Sequence, residues 1–433
     1  SGGNLQTGGS TTFGTFTNAN GVLEISFNTN ATNTLVRDVV RGIQYRNDTP
    51  AGHATIRFTL SDGSSSVAAD VKVTTDFIYV TSATDTQTIN LANGVSFSEA
   101  IAIAAAHLTG NQTIVIASSL ATQTVSTSAS STLNENLTLD LSSANGVTLS
   151  GGTLTLSPGI SLTVTNAPTN ITTFATALTG SGSFTKQGTG TLVLNGTNTT
   201  YTGSVTVGQG ILTVAHNNAL GTTANGVTVS SGASLRVANG ITITDALNLS
   251  GSGDNSSGAL QLLSGTATVS GNINLSSTVV SINSAGALSI SGIISGTNLA
   301  STGTGNLILS GTNTYGNTAV SAGTLSVAND NNLGFTQIIL ASGTTLAVTG
   351  STTIDNGITL TGAATISNSA NVTIDGVISG AHNLSKTGSG VLTLARDNTY
   401  AATNVDAGTL LVSSDSNLGS DAITLAAGTT LTI

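Results

Sequence analysis

A chain of 433 residues is long enough for two or three globular domains or one elongated array, and 38% of it is hydrophobic while only 6% is charged. Nineteen Asp and Glu against nine Lys and Arg give a net charge of −10; with no basic patch, nucleic acid and anionic lipid are poor partners, because phosphate recognition needs clustered cations. Cysteine is absent, which excludes disulfides and thiolate metal sites, and no apolar run is long enough to be a transmembrane segment.

Gly, Ser, Thr and Asn abound, yet Val, Ile and Leu recur in short alternating bursts that disordered chains lack, so the polar residues read as turns between strands. The first eighty residues stand apart, holding five of the nine cations: Arg37, Arg41, Arg46, Arg57 and Lys72. Within them Val22 to Phe27, Ala54 to Leu60 and Val67 to Thr74 alternate with period two, and Asp62-Gly63 reads as a turn, which suits a small β-sandwich over residues 1–80. The run from Leu35 to Asn47 (LVRDVVRGIQYRN) followed by Ile56 to Gly63 (IRFTLSDG) resembles the second half of a cadherin-like repeat of large bacterial surface adhesins. That resemblance implies strands before Ser1, so the chain is expected to start inside a module.

Residues 81–112 read as a linker and a capping helix, Ser98 to His107 being the single convincing helix, with Ser98 as its cap, Glu99 at its positive end and Gly110 past its finish. The segment FSEAIAIAAAHLTGNQTIVI (97–116) resembles the entry of bacterial surface β-helices, where a cap covers the open edge of the first coil. From about residue 113 to 433 short strands with apolar residues at i and i+2 alternate with Gly, Asn and Ser turns. Strands this short cannot bury themselves singly, so the expected fold is all-β, a right-handed parallel β-helix or solenoid.

Four ordered sub-motifs recur, each in three copies. Gly188-Thr-Gly-Thr-Leu-Val-Leu194 returns as Gly303-Thr-Gly-Asn-Leu-Ile-Leu309 and Gly388-Ser-Gly-Val-Leu-Thr-Leu394. An Asn-Thr-Tyr element follows at Tyr201, Tyr315 and Tyr400, then a Gly-Thr-Leu-like strand at Gly210, Gly323 and Gly408, then Leu-Gly at Gly221, Gly334 and Gly419. Blocks near 179–294, 295–378 and 379–433 therefore resemble the autotransporter-associated β-strand repeat of bacterial passenger domains. The family's lysine stands at Lys186 and Lys386 but is replaced by Ser301, and no membrane-anchoring barrel follows Ile433. The last coil ends without a polar cap, so either the sequence continues or the end stacks on another copy.

Chemistry is sparse. Beyond the cap the carboxylates are Glu135 and scattered aspartates with no Asp-x-Asp pair, short of what a polysaccharide lyase or hydrolase needs, so the chain is read as no enzyme and without catalytic residues. His53, His107, His216 and His382 lack ligand spacing, and calcium, though conceivable on such folds, has neither an EF-hand nor a GGxGxD repeat to hold it; no cofactor or metal site is assigned. Tyr201, Tyr315 and Tyr400 form either a glycan-stacking set or a structural ladder, and Thr-x-Thr strands such as Thr153-Leu154-Thr155 raise an ice-binding face, though not at constant spacing. The expectation is a secreted, extracellular or cell-surface structural and adhesive rod, whose partners are its own copies end to end, surface glycans or other cells.

Overall fold

The structure, a computed structural model, describes residues 2–19, 22–43, 54–61, 64–73, 77–85, 94–105, 111–127, 130–222 and 225–433. By internal contacts the chain divides into Ser1–Pro50 and Ala51–Ile433. The first unit is an antiparallel sheet of Gly2–Gln6, Thr12–Ala19 and Val22–Phe27, followed by a helix, Asn33–Gly42. This helix corrects the expectation of a single helix. Thr32 is extended and its hydroxyl accepts from Leu35 N at 3.3 Å, while Leu35, Val36, Val39 and Val40 recur at the 3,4 spacing of one helical stripe. Three valines, favoured in strands, had masked that period.

In the second unit Ala54–Ser61 and Ser66–Val73 pair as an antiparallel hairpin; Asp62-Gly63, the predicted turn, lies outside the described residues, as do Arg46 and Asn47. The solenoid ladder begins at Phe77–Val80, which pairs in parallel with Gln112–Ile116. Between them the capping helix runs Phe97–Ala105 and packs on these strands and on Ser131–Leu133. Its cap is Ser96 rather than Ser98: Ser96 Oγ accepts from Glu99 N, and Glu99 Oε2 accepts from Ser96 N at 2.7 Å, a reciprocal capping box. Ser98 is turned instead to Asp85, donating to its Oδ2 at 2.9 Å. His107 and Gly110 lie outside the described residues.

From there the chain winds as a parallel β-solenoid of about fifteen turns with three faces. In chain order one early coil reads Leu137–Asp140 on the first face, Thr148–Ser150 on the second and Thr153–Leu156 on the third, each paired in parallel with its equivalent a coil away. Coils run from 18 residues (Asn306 to Thr324) to 26 (Leu247 to Ile273). At Ile273–Ser284 and Ile294–Ser301 the corner between first and second faces opens, so single strands serve both and join them into one 21-stranded sheet. The inward residues of each strand are buried leucine, valine and isoleucine, such as Leu192 and Leu194, and outward positions are threonine and serine. One continuous core results, from Ile78 to Leu418. Among the described residues no helix is long and apolar enough to cross a membrane, which says nothing of a β-barrel.

Candidate functional site

The three repeat blocks are set on successive faces. Lys186 lies on the first-face strand Ser183–Gln187, Ser301 on the second-face part of Ile294–Ser301, and Lys386 on the third-face strand Leu384–Thr387. The tyrosines follow suit: Tyr201 bridges Gly180 on the third face, Thr314 beside Tyr315 bridges Ser295 on the first, and Thr399 beside Tyr400 bridges Ser379 on the second. Tyr201, Tyr315 and Tyr400 are therefore not neighbours, and all three are fully buried. A buried ring offers no face to a sugar, and residues on different faces cannot form one ladder.

Each tyrosine instead fills a coil interior. Tyr315 Oη shares a hydrogen bond with Thr318 at 2.9 Å, Tyr400 Oη with Thr403 at 2.8 Å, and Tyr201 Oη donates to Gly182 O at 2.8 Å. Burial raises all three phenols above their usual range, Tyr315 to about 12, so they remain donors. The Leu-Gly motif is explained by the neighbouring backbone together with the same ring: a Cβ on Gly334 would lie 2.0 Å from Gly316 O and 2.6 Å from Tyr315 Cε2, and one on Gly419 would lie 1.9 Å from Ala401 O and 2.7 Å from Tyr400 Cε2.

The asparagine of each Asn-Thr-Tyr element is the residue that sequence reasoning undervalued. Asn198 Oδ1 accepts from Leu178 N (2.7 Å) in the coil before, and its Nδ2 donates to Ala219 O in the coil after. Asn313 links Ile294 N (2.8 Å) to Asn332 O, and Asn398 links Ile378 N (2.7 Å) to Asn417 O. One amide thus clips three consecutive coils: its acceptor oxygen and donor nitrogen are separate atoms that reach opposite neighbours, whereas an ionised carboxylate has no donor and a hydroxyl must serve both from a single oxygen. Its recurrence two or three positions before each tyrosine was the available signal.

The lysines point inward. Lys186 Nζ donates to the carbonyls of Gln187 (2.8 Å), Gly188 (2.7 Å) and Gln209 (3.2 Å), and Lys386 Nζ to those of Thr387 (2.9 Å) and Gly388 (2.8 Å). Burial lowers both to about 8, opposed for Lys186 by the charge of Asp254, so both stay protonated at neutral pH.

Elsewhere the titratable groups are scattered. Asp245 is buried and pushed up to about 6; Asp330 is raised by burial, with the nearby Asp355 charge adding to it; Asp375 pairs with Arg396 at 3.0 Å on the surface. His216 Nδ1 accepts from Asn218 N, whereas His53 and His107 lie outside the described residues. Among the described residues no three His, Asp or Glu side chains are grouped to hold a metal ion. Thr155 and Thr179 share a hydrogen bond across coils at 2.8 Å, but Thr153 pairs with Ala177, so that threonine column breaks within a coil.

Compared with known proteins, three segments, 184–214, 299–327 and 384–412, match the family model described as Passenger-associated-transport-repeat. No curated protein and no solved structure matches the chain. The matched segments span the lysine or serine strand, the Gly-x-Gly turn, the tyrosine clip and the following strand, so all three segments similar to the passenger-associated transport repeat lie on one parallel β-solenoid.

Proposed function

We propose that this chain is the rod-forming part of a secreted bacterial autotransporter passenger, a structural and adhesive segment that holds other modules away from the cell surface. The observation that carries this reading is the use of the repeat signature: asparagine joins neighbouring coils, while the tyrosines and lysines are buried and bonded within their own turns or to the next coil, so the signature is spent on internal structure. Such a stack gains stability coil by coil and needs no reactive site. In this reading the N-terminal residues supply a cadherin-like module, and copies of the rod meet end to end through sheet edges.

The reading is tested with purified chain in three assays. Electron micrographs should show rods; rods that join lengthwise support end-to-end contact, and separate rods remove that part of the reading. Adhesion to cells should survive the substitution Tyr315→Phe, because the ring is internal. Turnover of any polysaccharide by the purified chain would overturn the non-enzymatic reading, and glycan binding abolished by that substitution would favour a glycan-binding module.

A further inference from the structure

The middle repeat differs from its neighbours at one buried position. Where Lys186 and Lys386 place an ammonium among turn carbonyls, Ser301 stands, 2% exposed. Its surroundings match those of Lys386: Ser301 pairs with Ile282 and Val320, and Lys386 with Ile366 and Val405. The side chain is three carbons and a charge shorter, and the neighbours are no larger.

Much of the backbone frame around this position is nevertheless the same. Ser321 N donates to Ser301 O at 2.8 Å, as Gly208 N does to Lys186 O and Asp406 N to Lys386 O, both at 2.9 Å. Gly305 N donates to Ser284 O as Gly190 N does to Asn166 O and Gly390 N to Asn368 O. Gly303 does not share the positive φ of Gly188 and Gly388, yet its carbonyl oxygen holds the same place against the next coil. A Cβ built on Gly323 lies 2.5 Å from Gly303 O, and the equivalents on Gly210 and Gly408 lie 2.5 Å from Gly188 O and Gly388 O. Gly323 also shares the positive φ of Gly210 and Gly408, so the oxygens of Gly303 and Ala322 stand where those of Gly188 and Gln209 receive Lys186 Nζ.

We propose that the turn following Ser301 is a binding site for one small monovalent cation of ammonium size, potassium or ammonium, held by the carbonyls of Gly303 and Ala322 with Ser301 Oγ as a further oxygen. The neighbouring copies show that this cradle accepts a single positive charge, and its ligands are neutral oxygens, which suit a monovalent ion better than calcium, whose sites rely on carboxylates. The oxygens are acceptors only, so a cation satisfies all of them at once, whereas one water can donate to two.

Hydrogen exchange on the full chain tests this, comparing potassium or ammonium chloride with choline chloride, whose cation is too large to enter, each at about 0.15 M. The amides of Gly305 and Ser321 should exchange about tenfold more slowly when the ion stands at ten times its dissociation constant. Gly390 and Asp406, at the Lys386 copy, should not respond. Ser301→Lys should abolish the response, the ammonium then being covalent; if that variant fails to fold, the comparison between copies in the native chain still decides. Equal exchange in potassium, ammonium and choline at Gly305 and Ser321 would overturn the proposal and assign the cradle to water, and an equal response at both copies would reduce it to a general salt effect.

Discussion

Gly334 lies so close to the Tyr315 ring that an added methyl cannot fit without moving the ring or the coil. Gly334→Ala is expected to destabilise the chain by about 1–3 kcal/mol, as overpacking does. Tyr315→Ala empties the same space and is expected to cost about 3–5 kcal/mol. Because the methyl would still lie 2.0 Å from Gly316 O once the ring is gone, Tyr315→Ala should not rescue Gly334→Ala, and the double variant should be no more stable than Gly334→Ala alone, read from denaturant midpoints; a double variant more stable than Gly334→Ala would show that the ring is the main obstacle. Asp245 makes a pH prediction. Burial raises its carboxyl from an ordinary 3.8 to about 6, so the folded chain binds a proton that the unfolded chain has released. Its contribution is fully present below about pH 4 and lost as pH rises to about 6, so stability falls across that window. Asp245→Asn should flatten this slope in denaturation curves taken at successive pH values; an unchanged slope would assign it to other groups.

Between adjacent coils the asparagine clip adds side-chain bonds to the backbone pairing, holding Ile294 N on one side and Asn332 O on the other. Asn313→Ala strands the amide of Ile294 and the carbonyl of Asn332 in the interior, at a cost of about 1–3 kcal/mol each. Exchange should quicken at Ile294 while Leu178, clipped by Asn198, stays protected. How far the sequence could reveal this follows from what each signal encodes. Alternation of Leu, Val and Ile identifies strands and their inward faces, and Thr191–Leu194 or Val391–Leu394 could be read directly. Recurrence identified the blocks, but not that each is turned by one face from the last, because that depends on summed coil lengths that vary between 18 and 26 residues. The glycan reading of the tyrosines failed for a related reason: rarity marks a residue as special without saying which way it points. Helix Asn33–Gly42 was hidden by its valines, and the start of the ladder at Phe77–Val80 was hidden because its partner lies beyond an intervening helix.

At the scale of the solenoid, stability is a sum over neighbouring coils, so whole coils are exchangeable and part coils are not. Ile338 pairs with Ile358 and Thr345 with Thr365, so removing residues 339–358 deletes one full coil on every face. That variant should remain folded and be shorter by about 4.8 Å along the solenoid axis. Removing only residues 339–348 should disrupt the stack locally, visible as lost exchange protection around the deletion. The central claim, that the repeat signature is internal bracing and not a display surface, is tested most directly by tyrosine nitration of the native chain with peptide mapping. Tyr79, 41% exposed, should be modified while Tyr201, Tyr315 and Tyr400 stay unmodified until the solenoid is denatured; nitration of those three in the native chain at the rate of Tyr79 would contradict the account.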